Sequence, residues 1–319
     1  MNFLNKKAML NLFVIVGAYI IVELLIRTGF IDSYIMLNIV LIGINIILAI
    51  GLNLITGFTG QLSLGHAAFM SVGAYASGIL TTKFGMPFIV GILGAAILAA
   101  VAGIIIGIPT LRLKGDYLAI ATLGFGEIVR IIGLNTDYIG GAIGLNDIPQ
   151  YTNWTWLYIC IVATVLIISN FIQSYNGRAC ISIREDEIAS EAMGVNTTYY
   201  KVLVFTIGAF FAGIAGALYA NYFYFIKPDS FGFMKSIDIL VIVVLGGLGS
   251  IPGSIIGAIL LSVISVFLQG IPELRMVVYA VILFLIMLYR PQGLMGKSEL
   301  KLFKKRGVSN EPASSKQSA

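Results

Sequence analysis

With 319 residues, of which 58% are hydrophobic and 11% charged, and a mean hydropathy of +0.96, the chain carries more apolar surface than a water-soluble fold can hide. The apolar residues fall in runs of about 17 to 24, separated by short polar patches; that is the length a helix needs to cross roughly 30 Å of hydrocarbon. A net charge of +5 and a pI near 9.1 do not point to nucleic acid, because the basic residues sit at the ends of apolar runs and in a tail, with no aromatic-interleaved patch.

Lys6 and Lys7 precede an apolar run over 8–26 that lacks a small-x-small cleavage site and is too long for a signal-peptide core, so it reads as a retained first span. Further spans are predicted over 34–56, 64–82, 87–108, 116–134, 154–174, 201–224, 236–250, 254–270 and 273–290. The fold class is therefore all-α, a polytopic membrane protein of about ten transmembrane helices. With the amino terminus inside, 14 of the 20 Lys and Arg residues fall on the inner side and 6 on the outer, which obeys the positive-inside rule and puts both termini in the cytoplasm. Residues 1–296 are expected to form the membrane domain. The basic, serine-rich remainder, 297–319, has no apolar periodicity and reads as a disordered cytoplasmic tail near anionic lipid.

Small residues recur every four positions at Gly91, Ala95, Ala99, Gly103 and Gly107 on the fourth span, and at Gly208, Ala212, Gly216 and Ala220 on the seventh. Such stripes let helix backbones approach closely in lipid, so the spans form one bundle. Two stretches interrupt the apolar pattern, Gly57 to Gly65 and Gly246 to Gly253. Each is open to two readings: a tight cytoplasmic turn, or a discontinuous segment lining a wet cavity, as in many transporters. On the second reading the candidate pathway residues are Gly57, Thr59, Gly60, Gln61, Ser63, Gly65, His66, Gly246 and Gly247. Spans 2–5 and 7–10 are compatible with an inverted repeat, although the two joints do not fall at equivalent places in it.

Residues for hydrolytic or metal chemistry are sparse. His66 is the single histidine, with no carboxylate or cysteine pair nearby in sequence, and reads as a hydrogen-bonded helix-start residue. Cys160 lies in an apolar run and Cys180 in a polar loop, offering neither a disulfide framework nor a metal cluster. Gly296, Lys297 and Ser298 imitate the end of a phosphate-binding loop, but Pro291 replaces the required earlier glycine. No catalytic or metal site is expected in this chain. Glu127 and Arg130 lie three residues apart within the fifth span and can neutralise each other, either lining a polar route or snorkelling at the outer surface.

The longest inner loop, 176–200, is charged. From Arg184 through Glu185, Asp186, Glu187, Glu191 and Ala192 to Gly194 it predicts a short amphipathic helix, acidic in its first turn and ended by glycine. Such a helix is either a solvated connector or a lever docked on a cytoplasmic partner.

Here a resemblance enters. Glu191, Ala192, Met193 and Gly194 resemble, in shortened form, the Glu-Ala-x-x-x-Gly coupling motif of ABC importer permeases. The stretches GFTGQLSLGHAAFMSVG from Gly57, LKGDYLAIATLGFGEIVR from Leu113, Arg184 to Ala220, and LGGLGSIPGSIIG from Leu245 resemble, in order, the LivM-type permease subunits of branched-chain amino acid ABC importers. The resemblance covers about residues 51–294. It implies half of a translocation pathway that pairs with a homologous LivH-type permease, two cytoplasmic ABC ATPase subunits and an extracytoplasmic substrate-binding protein. It also implies that ATP and Mg are bound by partner subunits, with no cofactor in this chain, and that 184–194 sits in a cleft of the ATPase. The alternatives are a permease for urea, short amides or other amino acids, an ion-coupled secondary transporter, and a membrane-embedded enzyme.

Overall fold

The computed structural model describes residues 6–111, 113, 115–268, 270–290 and 293–296. The basic tail from Lys297 onward, together with Arg112 and Lys114, lies outside the described residues. The described chain is helical. In order it forms α1 (Lys6–Arg27), α2 (Ser33–Thr59), α3 (His66–Thr82), α4 (Phe88–Thr110), α5 (Asp116–Asn135), α6 (Trp154–Gln173), α7 (Tyr175–Glu185), α8 (Glu187–Ala192), α9 (Thr197–Phe223), α10 (Phe233–Gly246), α11 (Ile251–Phe267) and α12 (Pro272–Tyr289). A helix satisfies its own backbone, which is the condition for entering hydrocarbon.

Among the described residues, α2, α4, α5, α6 and α9 are long and apolar enough to cross a membrane. By contrast α3, α10 and α11 have 17, 14 and 17 residues, about 26, 21 and 26 Å at a rise of about 1.5 Å per residue, short of the roughly 30 Å hydrocarbon layer. These three short helices border the two polar joints and the cavities described below.

The core is built on α2 and α9, the most buried of the long helices. α9 packs against α4, α3 and α2. The small-residue stripes are the reason. On α4, Gly91, Ala95, Ala99, Gly103 and Gly107 are all buried, and on α9 so are Gly208, Ala212, Gly216 and Ala220. The approach is so close that a Cβ on Gly73 of α3 would stand 2.4 Å from the backbone of Gly213, a position open only to glycine. The opposite face of α4, with Ile97, Leu98, Ile104 and Ile105, is exposed and apolar, as suits lipid contact. Polar side chains add specific links: Asn221 of α9 donates to Ser77 Oγ of α3 at 2.7 Å.

The loop after α5 returns across the end of α9, where Leu145 and Ile226 exchange backbone hydrogen bonds of 3.0 and 3.1 Å. Asn153 caps α6 by accepting from Trp156 N–H at 3.0 Å. The rings of Trp154 and Trp156 thus begin the helix, Trp156 standing edge-on to Phe88 at 5.5 Å. α1 lies at the periphery against α6, its Tyr19 hydroxyl bonded to Thr155 at 3.1 Å.

Candidate functional site

The first Gly-rich joint begins later than its sequence predicts. α2 continues through Gly57 and Thr59, and the chain turns at Gly60, whose φ of +74° is left-handed and whose N–H reaches back to Ile55 O. Helix ends carry orphan backbone groups that need partners at membrane depth. Here they come from other helices: Thr122 Oγ1 of α5 accepts from Leu64 N–H at 3.0 Å, and Ser236 Oγ of α10 accepts from Ala67 N–H at 3.2 Å. Gly65 presses against the Thr122 carbonyl, where a Cβ would meet oxygen at 2.2 Å.

The second joint lies between Gly246, the last residue of α10, and Ile251, with Ser250 capping α11 by accepting from Gly253 N–H at 3.2 Å. The segment after α12 closes it: Leu294 N–H donates to Leu245 O at 3.0 Å and Met295 N–H to Gly246 O at 3.3 Å.

Asn53 fastens the two joints together. Fully buried in the C-terminal half of α2, it donates to Ser250 O at 2.9 Å and Ser254 Oγ at 2.7 Å, and it accepts from Gly249 N–H at 2.8 Å. Gly57 sits directly beneath, where a Cβ would fall 1.8 Å from Asn53 Oδ1 and 2.3 Å from Gly249 N. Asn53, Thr122 and Ser236 were not among the candidates read from the sequence. The available signal was a lone amide inside the apolar run Leu52, Asn53, Leu54, since polar groups at membrane depth are costly unless used.

Into this junction reaches Arg184. The sequence predicts one short helix from Arg184 to Gly194; the structure instead has two helices broken at Asp186. Arg184 and Glu185 end α7; Asp186 caps α8 by accepting from Ala189 N–H at 3.0 Å; Glu187, Glu191 and Ala192 lie on α8; and Gly194 follows with φ +85°. The physical reason is that Asp186 adopts an extended backbone and supplies a better helix start than the middle of a continued helix. Arg184 therefore turns toward the bundle, its side chain only partly exposed. Its Nη1 donates to the Gly57 carbonyl at 2.9 Å and lies beside Gly249, while Nη2 pairs with Glu185 at 2.5 Å.

Lys201 at the start of α9 pairs with Glu187 at 2.6 Å and holds α8 to the bundle. The other face of α8 is bare: Ile188 is 75% and Met193 85% exposed, beside exposed Glu191 and Ala192. Cys180, predicted in a polar loop, is buried in α7, and burial pushes its thiol up to about 11.

A cavity of about 310 Å³ opens between this hairpin and the first joint, lined by Thr59, Gly60, Gln61, Asp116, Arg184 and Lys201 among others. Deeper, Gln61, Ser63 and His66 are buried, and both ends of the Gln61 amide, Ser63 Oγ and both His66 ring nitrogens lack hydrogen-bond partners. His66 packs on Gly51 of α2, and among the described residues no cluster of three or more His, Cys, Asp or Glu could hold a metal ion. One turn beyond, Met70 of α3 lines a second cavity, of about 340 Å³. Glu127 and Arg130 form the pair expected from their spacing: Glu127 accepts from Arg130 Nε at 2.9 Å, and Arg130 Nη1 reaches Asp229 at 2.8 Å.

Comparison with known proteins follows the same span. The family model described as branched-chain amino acid transport system / permease component matches residues 34–287. The chain is 38% identical over 300 residues to the high-affinity branched-chain amino acid transport system permease protein LivM of Escherichia coli K12, covering 83% of this chain and 71% of that protein. It is 28% identical over 290 residues to the LivH permease protein of Salmonella typhimurium, covering 80% and 92% respectively. A probable LivM of Methanocaldococcus jannaschii is 28% identical over 312 residues, covering 79% and 90%. No solved structure matches.

Proposed function

The chain belongs to the family of branched-chain amino acid transport system permease components, and from that premise we propose how it works: as half of a translocation pathway driven by ATPases on other polypeptides. It is an integral membrane permease subunit, not itself a catalyst, for branched-chain amino acids in an ABC importer. Similarity to LivM and LivH proteins alike supports a pair of related permeases side by side. In our reading ten helices cross the membrane, α3, α10 and α11 only in part as full-length spans, and both termini are cytoplasmic. Two ABC ATPase subunits, which bind ATP and Mg, dock on the inner face, and a substrate-binding protein delivers cargo outside.

The observation that carries this reading is the Arg184 guanidinium seated between the two Gly-rich joints. The bare face of α8 around Ile188, Glu191 and Met193 suits insertion into a partner. When the ATPases close, displacement of α8 passes through α7 to Arg184, and from there to the Gly57 carbonyl and the Gly249 turn. Gly60, Gly247 and Gly249, all at positive φ, supply the backbone freedom for the joints to shift. The unpartnered Gln61, Ser63 and His66 then find partners in water or in the passing amino acid, whose selection rests mainly with the binding protein.

The test is leucine uptake by the assembled importer in vesicles, with and without ATP. Arg184→Ala is expected to lower ATP-driven uptake at least about tenfold while the ATPase subunits stay bound and turn over ATP, the mark of lost transmission. Arg184→Lys recovers little, because a point charge does not reproduce the guanidinium fork. Uptake driven by an ion gradient without ATP, or unchanged uptake by Arg184→Ala, counts against this reading.

A further inference from the structure

The last described residues lie beside the acidic α7–α8 hairpin. The chain reaches Gly296 through Leu294 and Met295, whose N–H groups donate to Leu245 O at 3.0 Å and Gly246 O at 3.3 Å. Gly293 presses on the same joint, where a Cβ would stand 2.3 Å from Gly247 Cα. Only the turn from Gly247 to Gly249 separates that exit from α7, because a Cβ on Gly249 would lie 2.8 Å from Arg184 Nη1. Residues 297–306 therefore start next to the hairpin. Ten extended residues span up to about 36 Å, whereas the whole of α8 is about 9 Å long, so reach sets no limit.

Charge and shape match across that short distance. The hairpin carries the carboxylates Glu185, Asp186, Glu187 and Glu191 with no base between them. Arg184 pairs with Glu185 and Lys201 with Glu187, so the hairpin stays net negative. Residues 297–306 read KSELKLFKKR, five basic residues against the single Glu299. Beside its carboxylates α8 leaves Ile188 and Met193 exposed, and the basic segment holds Leu302 and Phe303 between its cations. An apolar pair flanked by one sign of charge complements an apolar pair flanked by the other.

We propose that residues 297–306 dock on the bare face of α8, Leu302 and Phe303 covering Ile188 and Met193 while the bases sit among the hairpin carboxylates. The docked segment occupies the face assigned above to the ATPase subunits, so it is an intrachain brake on their binding. The docking follows from the hairpin and the exit point alone; naming the ATPases as its competitor rests on the permease function proposed above.

Two measurements test it on the full chain, assembled with its partner permease in vesicles. In the first, Ala192→Cys on α8 and Gly307→Cys beyond the basic run are bridged by a short bismaleimide. The linked peptides are read by mass spectrometry against each single variant and against the wild-type chain, whose cysteines are Cys160 and Cys180. Vesicles of phosphatidylcholine alone are expected to give the link in about 0.1 M salt and to lose it several-fold in about 1 M, where charges more than roughly 3 Å apart are screened. Glu191→Lys lowers the yield several-fold, and adding Lys304→Glu with Lys305→Glu restores most of it. In the second, ATPase subunits are titrated onto the vesicles. Replacing Lys301, Lys304, Lys305 and Arg306 together by serine is expected to lower the ATPase concentration for half-maximal ATP hydrolysis several-fold at low salt, a gap that closes at high salt. No link, a link indifferent to salt and to Glu191→Lys, or one that forms only with anionic phosphatidylglycerol overturns the proposal, the last placing the segment on the lipid surface. Equal titrations overturn the brake. Should the wild-type importer fail to move leucine with ATP, the permease reading falls, while the link, which needs neither ATPase nor transport, still decides the docking.

Discussion

The junction around Asn53 and the chamber of about 340 Å³ that Met70 lines are both polar, both border short helices and both lie within one bundle, yet they are built on opposite principles. At the junction, backbone meets backbone: Gly57, Gly249 and Asn53 leave no room for one further carbon, and every hydrogen-bonding group of Asn53 is used. In the chamber, long side chains such as Lys235, Met70 and Tyr219 surround a void. Dense packing transmits displacement, because a close-packed contact has few alternative arrangements, whereas a lined void accommodates a ligand. The contrast separates a close-packed contact from a lined void and predicts that the two respond differently to substitution.

The largest expected effect is at Gly57. Gly57→Val places a side chain within the space of Asn53 and the Gly249 backbone, and overpacking against backbone is expected to cost about 3 kcal/mol or more. Thermal aggregation of the detergent-solubilised chain should move to a much lower temperature; a variant that melts like wild type would break the comparison at its strongest point. Next is Asn53→Leu, which leaves the Gly249 N–H without its acceptor in a dry interior, at about 1–3 kcal/mol, while the Ser250 carbonyl keeps the Ser254 N–H. The same melting assay reads it, and Asn53→Asp, which keeps the acceptor for Gly249, should melt between the two. The smallest is Ser262→Ala in the chamber. It removes one hydrogen bond beside a cavity that water can enter, so the loss should stay near 0.5–1 kcal/mol. A large melting shift there would mean that the chamber wall is as tightly specified as the junction.

Much of the bundle was legible in the residue order. Apolar runs, basic asymmetry and the four-residue spacing of Gly91 to Gly107 depend on local composition and helical period alone, and the helices follow those predictions to within a few residues at most ends. The site was legible in part. Glycine density located both joints, but Gly57 and Thr59 proved helical, and the charged loop divided at Asp186 because capping is decided by a single side chain with free backbone donors ahead of it. Lys235, just before the predicted span 236–250, lies on α10, and Glu127 makes the expected pair with Arg130, which the sequence could not show reaching Asp229.

What the sequence determined by itself is therefore the medium and the periodicity: a chain this apolar must satisfy its backbone internally, so helices of membrane length follow wherever the run is long enough. Only the tertiary structure decided that Asn53 joins segments almost two hundred positions apart, that Arg184 turns inward to the Gly57 carbonyl, and that Lys235 and Asp238 face a chamber. Those facts depend on which buried polar group meets which across helix–helix contacts. The requirement that a buried group be paired is visible in sequence, but the identity of its partner is set by packing.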